Sequence, residues 1–306
     1  MELNLFSKVN ASTLISILIA GIGMGFLYAL VSVGFYISFD YLNVLNIAYG
    51  VYVVFGAYCV GVLYASNIRY LIAVPVAVTG AAAMGFSVQK YLFTPISKYS
   101  SDNSEELIIV ASFGLVFAFE QIFGSLFFYE PVSNPVPLSL TGATISGISI
   151  DTLLVVMGIV SISIIAIFNY HLNNNTTGKS IRAIHHGEFA ARISGISPER
   201  TYNFTHLVVG GLTGLGGVLL SFTQPVSMTG TIDITVIAFI VVMISGIFTK
   251  RSLVNLLWAG PIIGIITVFL SRFGYSRWID LSTYLILLVL ILTLTQFESQ
   301  EGLAHA

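Results

Sequence analysis

The stretch STLISILIAGIGMGFLYALVSVGFYISF, residues 12–39, followed at once by DYLNVLNIAYG, residues 40–50, decides the fold. The first part has no charged side chain between Lys8 and Asp40. About 20 helical residues cross the apolar core of a bilayer, so this run is long enough to span it. Strict polar and apolar alternation, the mark of a lipid-facing barrel strand, is absent, and a helix is the remaining way to satisfy every backbone group in lipid.

Working outward, comparable runs cover residues 43–66, 70–91, 107–129, 152–170, 203–224, 234–249, 253–271 and 280–297. The run 234–249 is short enough to be a half-span or a re-entrant piece. Composition agrees: 56% of the 306 residues are hydrophobic and 8% charged, with mean hydropathy +0.92. Soluble domains carry about a quarter charged residues, so a soluble enzyme is excluded. The formal charge of -2 offers no basic footprint for nucleic acid. One cysteine, Cys59, excludes an internal disulfide or a cysteine-based zinc site and reads as a packing residue. The expected fold is an all-α integral membrane protein. It is a polytopic bundle of eight or nine transmembrane segments, one broken or re-entrant, filling residues 1–306 as a single domain.

Charge sets the expected orientation, because Lys and Arg in short loops stay on the cytoplasmic side. With nine spans, Lys90, Lys98, Lys179, Arg182, Arg192, Arg200, Lys250 and Arg251 share one side, and Lys8, Arg69, Arg272 and Arg277 the other. The loops 92–106, 171–202 and 250–252 are therefore expected in the cytoplasm and the N-terminus outside. The N-terminal stretch is too long for a signal peptide and reads as the first span. The 130–151 connection, free of Lys and Arg, reads as an external loop.

Inside this frame a few polar residues stand out. Asp40 to Gly50 interrupts two apolar runs without a hydrophilic loop, and Asn43, Asn46, Tyr49 and Gly50 lie in it. Either it is a helix break at membrane depth lining a substrate path, or an ordinary tight cytoplasmic turn suited by Asp40 and Asn43. Glu120 lies mid-span and Asp233 at the mouth of the short run, and an ionisable group in a span needs a partner or a role. For Glu120 three readings stay open: a protonated packing residue, a path-lining group or a proton carrier. Glycines at spacing four, Gly21 and Gly25, Gly210 and Gly214, Gly260 and Gly264, mark close helix packing.

The polar segment 171–202 carries four basic residues and three His. Its ending Gly178-Lys179-Ser180 imitates a phosphate loop, but Asn173 stands where that loop needs glycine and a membrane helix precedes it. The sequons at Asn10, Asn174, Asn175 and Asn203 are chance matches. His185 and His186 are adjacent and point to different helix faces, so they make no metal pair. Ile181, Ile184, Phe189, Ala190 and Ile193 recur at helical intervals, as one docking face would. Gly187 divides the segment into two short helices and Gly195 ends it.

Gly178-Lys179-Ser180-Ile181-Arg182-Ala183, then Ala190-Ala191-Arg192-Ile193-Ser194-Gly195-Ile196, resembles a cytoplasmic pattern of one family. Asn46-Ile47-Ala48-Tyr49-Gly50, Gly56-Ala57-Tyr58, Tyr91 to Pro95, Ser112-Phe113-Gly114 with Gln121, and Phe204-Thr205 fall in that family's order. The family is the membrane permease subunits of ABC importers for branched-chain amino acids, most similar to the H-type subunit, and the likeness covers residues 14–297. Departures are His186-Gly187 in place of acidic residues, Tyr49 in place of His or Gln, and Thr295 to Glu298 in place of a Pro-Gly-rich ending. They leave branched-chain amino acids, urea, short amides and other small solutes open.

The resemblance implies a subunit that binds no cofactor and hydrolyses nothing. Its implied partners are a second permease subunit, two cytoplasmic ATPase subunits holding ATP and Mg, and an external solute-binding protein. A coupling loop would use Gly178, Arg182, Ala183, Phe189, Ala190, Ala191, Arg192 and Gly195, with Phe189, Ala190 and Ile193 docking and the two arginines adding charge contacts. Substrate would pass Asn43, Asn46, Tyr49, Gly50, Glu120 and Asp233. The rival expectation is a self-contained secondary transporter whose coupling proton sits on Glu120 or Asp233.

Overall fold

The computed structural model describes residues 10–42, 45–99, 103–127, 129–135, 142–145, 148–247, 252–273, 278–279, 281–290 and 292. The helices are α1 (Ala11–Tyr36), α2 (Tyr49–Ala65), α3 (Tyr70–Val88), α4 (Thr94–Tyr99), α5 (Ser104–Phe127) and α6 (Thr152–Asn174). After these come α7 (Thr176–His186), α8 (Glu188–Ile193), α9 (Pro198–Thr223), α10 (Thr231–Ser245) and α11 (Leu256–Arg272), with α12 at Leu281–Leu290. A two-stranded hairpin pairs Ala143–Ile145 with Ile148–Ile150.

Among the described residues, seven helical stretches are long and apolar enough to cross a membrane, and Tyr49–Ala65 and Leu281–Leu290 are shorter apolar helices. Several boundaries differ from the sequence expectation. The 92–106 loop is not all loop, because α3 continues through a π-helical turn, Gln89–Phe93, into α4. That turn comes just before Pro95, whose missing N–H interrupts the ladder, and a π register absorbs the interruption. The expected half-span at 234–249 begins earlier, since a 3₁₀ turn, Met228–Gly230, feeds α10 and makes an 18-residue stretch, Met228–Ser245. Helix α6 runs on to Asn174 and α9 starts at Pro198, so less of 171–202 is linker than expected.

Glycine seams set the packing. At α1 against α11, a Cβ on Gly21 would lie 2.6 Å from Ile265 Cα, and one on Gly264 would overlap the backbone of Gly21 and Gly25. At α9 against α3, a Cβ on Gly210 would lie 2.6 Å from the Ala81 carbonyl. At α9 against α2, Gly217 meets Val53 and Gly56 meets Gly214. Lipid tails are as apolar as leucine, so close backbone approach rather than hydrophobic burial holds such helices together. The stripes read from the sequence as packing elements are packing elements. Helix α1 lies among α6, α9, α10 and α11, and apolar side chains such as Leu71, Val110 and Ile167 cover the outside.

Alternating helix directions put Lys98, Lys179, Arg182, Arg192 and Arg200 at one end of the bundle, and Arg69 and Arg272 at the other. Lys98 pairs with Glu199 at 2.9 Å, tying α4 to the start of α9. Lys8, Lys250, Arg251 and Arg277 lie outside the described residues.

Candidate translocation pathway and docking surface

The interruption after α1 lies inside the bundle. Helix α1 continues through a π-helical turn to Tyr41. A Cβ on Gly34 would meet the Tyr49 ring at 3.2 Å and Val209 at 2.9 Å, and Val209 is in the middle of α9. Helix α2 therefore starts level with Gly34. At 1.5 Å per residue that is about 10 Å short of the point α1 reaches. The chain turns back inward after Tyr41, and Asn46 and Ala48 are completely buried. The break is therefore buried inside the bundle and is not a turn at its surface. Asn43 lies outside the described residues.

Side chains from two other helices satisfy the broken backbone. Ile47 N–H donates to Ser112 Oγ of α5 at 3.1 Å, and Ala48 N–H to Asn46 Oδ1 at 2.9 Å. Gly50 N–H donates to Thr235 Oγ1 of α10 at 3.0 Å. The single proton of that hydroxyl is placed to serve the Ile47 carbonyl or the Thr231 carbonyl, each at 3.0 Å. Gly50 is glycine of necessity, because a Cβ there would overlap the Thr231 carbonyl. Tyr49 stacks edge-on against Phe35 and Tyr52, with centroids 6.0 and 5.7 Å apart.

Glu120 joins this cluster from α5, its carboxyl reaching Thr231 at the start of α10. Three buried atoms here, Asn46 Nδ2, the Tyr52 hydroxyl and Glu120 Oε1, have no hydrogen-bond partner among the described residues. Leaving such groups unpaired costs about 1–3 kcal/mol each, and that cost is removed when water or a polar solute enters. Asn46, Tyr49, Gly50 and Glu120 are thus brought together. Asp233 is within electrostatic reach of Glu120 but is turned to a separate cavity, where it accepts from the Tyr284 hydroxyl. Sequence reasoning missed Ser112, Thr231 and Thr235 as the groups that hold the break. Ser112 was visible only as part of Ser112-Phe113-Gly114, and the signal for Thr231 and Thr235 was a hydroxyl close to apolar residues.

At the basic end, α7 and α8 link α6 to α9. They do not present one apolar face. Ile181 and Ile184 of α7 are turned into the bundle, 3% and 5% exposed, whereas Phe189 and Ile193 of α8 are 79% and 73% exposed. The expected single stripe is split because Gly187, extended at φ 166, breaks the helix and re-aims α8. Ala190 is exposed beside Phe189, Ala183 is half-buried and Ala191 is buried. An exposed Glu188–Arg192 pair shares α8 with Phe189 and Ile193, so this surface faces water rather than lipid tails.

Two glycines shape the element. A Cβ on Gly178 would overlap the Leu172 carbonyl, so glycine lets α7 fold back on α6. Gly195 has φ +82, the left-handed conformation that ends α8. Arg182 is not aimed outward. It donates to the Leu172 and Asn173 carbonyls at 3.0 and 3.3 Å, capping the end of α6 and fastening α7 to it. Arg182→Met is expected to destabilise this junction by about 1–3 kcal/mol. Limited trypsin digestion at Lys179 reports it: faster cleavage in the variant is the expected result, and an unchanged rate would refute the anchoring role.

Tyr41, at the end of the π-helical turn, meets the His185 ring edge-on at 6.1 Å, so α7 touches the segment that leads into the break.

A multi-pass helical bundle with an interior helix broken around unpaired polar groups, and a water-facing apolar knob at its basic end, has the build of a membrane transport component. The family comparison agrees: a model of the permease component of branched-chain amino acid transport systems matches residues 17–294, and the chain belongs to that family. Among solved structures, PsaBC from Streptococcus pneumoniae in complex with Fab aligns at 17% identity, covering 90% of this chain and 89% of that one, with a TM-score of 0.49. No functionally curated protein matches the chain.

Proposed function

We propose that this chain is the membrane-spanning permease subunit of an ATP-binding cassette importer. It crosses a prokaryotic cytoplasmic membrane eight or nine times with its N-terminus outside. It moves branched-chain amino acids or a similar small organic solute, urea and amides included, inward. ATP and Mg belong to two cytoplasmic ATPase subunits, a second permease subunit completes the pore, and an external binding protein delivers solute. The observation that carries this reading is the exposure of Phe189, Ala190 and Ile193 on a short, polar, water-facing helix, the form of an interface anchor awaiting its pocket. Closure of the ATPase pair would push α8, and Arg182 and Tyr41 would pass that push to α6 and to the segment before the break. The Asn46–Gly50 and Glu120 cluster would then open alternately to each side.

A gentle-detergent pull-down of the tagged chain from its native membranes tests this. An ATPase with Walker motifs is the expected companion. Phe189→Ala with Ile193→Ala is expected to lower its recovery at least about tenfold, since each truncated anchor costs on the order of 1–2 kcal/mol. Recovery of the wild-type chain alone, monodisperse and reproducible, would sink the importer reading and favour a proton-coupled carrier.

A further inference from the structure

Helix α5 is attached to the bundle along a narrow stripe. Its buried residues are Ile108, Ser112, Val116, Phe119 and Gly124. Val110, Gly114, Gln121 and Ser125 are exposed, and steps of four, seven and four residues keep them on one face, turned away from the bundle.

Two residues on that face are out of place against lipid. A glycine inside a helix weakens it relative to alanine, and this protein accepts the loss where helices touch. At every other glycine within the described α-helices, a Cβ would lie 3.3 Å or closer to a neighbouring residue. At Gly114 it would meet nothing within 4 Å, so no contact inside the described chain calls for glycine there. Gln121 is the second. It lies six residues, about 9 Å, inside the outer end of α5 at Phe127. Its Oε1 accepts from the Tyr129 hydroxyl at 3.1 Å, and among the described residues its amide N–H groups have no acceptor. Lipid tails offer none.

Ala118, one turn after Gly114, is also small and exposed. Another helix can therefore approach α5 here as closely as helices approach at the glycine seams inside the bundle. A partner at this depth must itself lie in the membrane, which sets aside a water-soluble ATPase or binding protein. A two-fold axis beside α5 sets each residue near its own equivalent. Gly114 and Ala118 then meet small residues. A primary amide is donor and acceptor at once and pairs with itself, the N–H of one Gln121 reaching the remaining lone pair on Oε1 of the other. Glu105 and Glu106 lie about 12–13 Å from Gly114 toward the water end, where like charges stay solvated.

We propose that α5 is the seam along which a second copy of this chain docks, with Gly114 and Ala118 at the crossing and Gln121 bonding its own equivalent. This deepens the importer reading, on which the role of the seam in transport rests: the second permease subunit is another copy. Because Glu120 adjoins Gln121, the seam runs beside the path residues of each copy.

Cysteine cross-linking of the full chain in its native membranes tests this. Cys59 is the one cysteine. In a Cys59→Ala background, Ala118→Cys is expected to give a disulfide-linked dimer on mild oxidation, and Ile167→Cys, on the lipid face of α6, none. Gly114→Leu and Gln121→Leu are each expected to lower the yield of that dimer at least about tenfold, and Gln121→Asn to retain it. Both leucines point into open space in the single chain, so the amount of folded protein is expected to stay at wild type. Two differently tagged copies, expressed together, are expected to co-purify. No dimer from Ala118→Cys, equal dimer from Ile167→Cys, a dimer insensitive to both leucine variants, or tagged copies that never co-purify would overturn the seam. These outcomes are separate from the ATPase pull-down. A dimer without an ATPase removes the importer reading and leaves the seam, whereas an ATPase recovered with a single tag removes the seam and leaves the importer.

Discussion

Gly264→Val is expected to abolish accumulation of folded protein, whereas Gly114→Ala is expected to be neutral or slightly stabilising. Both are glycines inside long apolar helices, and the difference lies in what each faces. A Cβ at 264 would overlap the backbone of Gly21 and Gly25, and Gly260 and Gly25 abut in the same seam, so backbone meets backbone and no flexible side chain can yield. Nothing lies within 4 Å of a Cβ at 114. Forcing a branched side chain into a close-packed seam costs about 1–3 kcal/mol or more. Here the α1–α11 contact must separate, which places the loss at or above about 4 kcal/mol, in the exceptional tail for single changes. At position 114 alanine gains up to about 1 kcal/mol of helix propensity. Membrane-fraction yield and the fluorescence size-exclusion profile decide it. A monodisperse Gly264→Val protein with wild-type yield would show that α1 and α11 are not interlocked.

Thr235→Val is expected to remove transport almost entirely while Thr235→Ser retains it. The Thr235 hydroxyl accepts from Gly50 N–H and is placed to donate to the Ile47 carbonyl, so one side chain closes the break at two points. Valine has the same shape and no polar atom, and it strands these backbone groups in a buried site at about 1–3 kcal/mol each. The chain has an alternative, to rearrange between Tyr41 and Tyr49, and that rearrangement moves Asn46 and Tyr49 away from Glu120. Uptake into proteoliposomes containing the assembled transporter is expected to fall more than about tenfold, and melting temperature by several degrees. Wild-type uptake by the valine variant would mean that the break is held by something other than α10. The serine variant guards against a purely steric explanation.

These two predictions locate the limit of sequence reading. The apolar runs were legible because lipid imposes a length and forbids unpaired backbone, so residues 12–39, 107–129 and 152–170 announce helices with little ambiguity. Boundaries were less legible. Nothing in 89–99 marks a π register that carries α3 onward to α4. The short run at 234–249 misled because the turns before it, Met228 to Asp233, include Thr229, Gly230, Thr231 and Asp233, which interrupt the apolar pattern. Asn46, Tyr49 and Glu120 could be picked out as polar groups among apolar ones, and Gly50 as the glycine that ends the interruption. Their convergence on Thr231 and Thr235 could not, since residues 50 and 235 are 185 positions apart.

The helical spacing of 171–202 was visible, but spacing does not reveal which way a face is turned. Gly187 sends Ile181 and Ile184 inward and Phe189 and Ile193 outward, and Arg182, read as a contact for a partner, is spent on the end of α6.

The sequence by itself determined the medium and the helical character of the spans. With 8% charged residues and long uncharged runs, no water-soluble packing can hide the apolar surface, and only helices satisfy the backbone in lipid. It also marked the glycines at which helices meet. The tertiary structure alone decided which glycine meets which and that α2 begins about 10 Å inside the bundle. Those facts depend on contacts between residues far apart in the chain, and helical periodicity along one segment has no information about its neighbours in space.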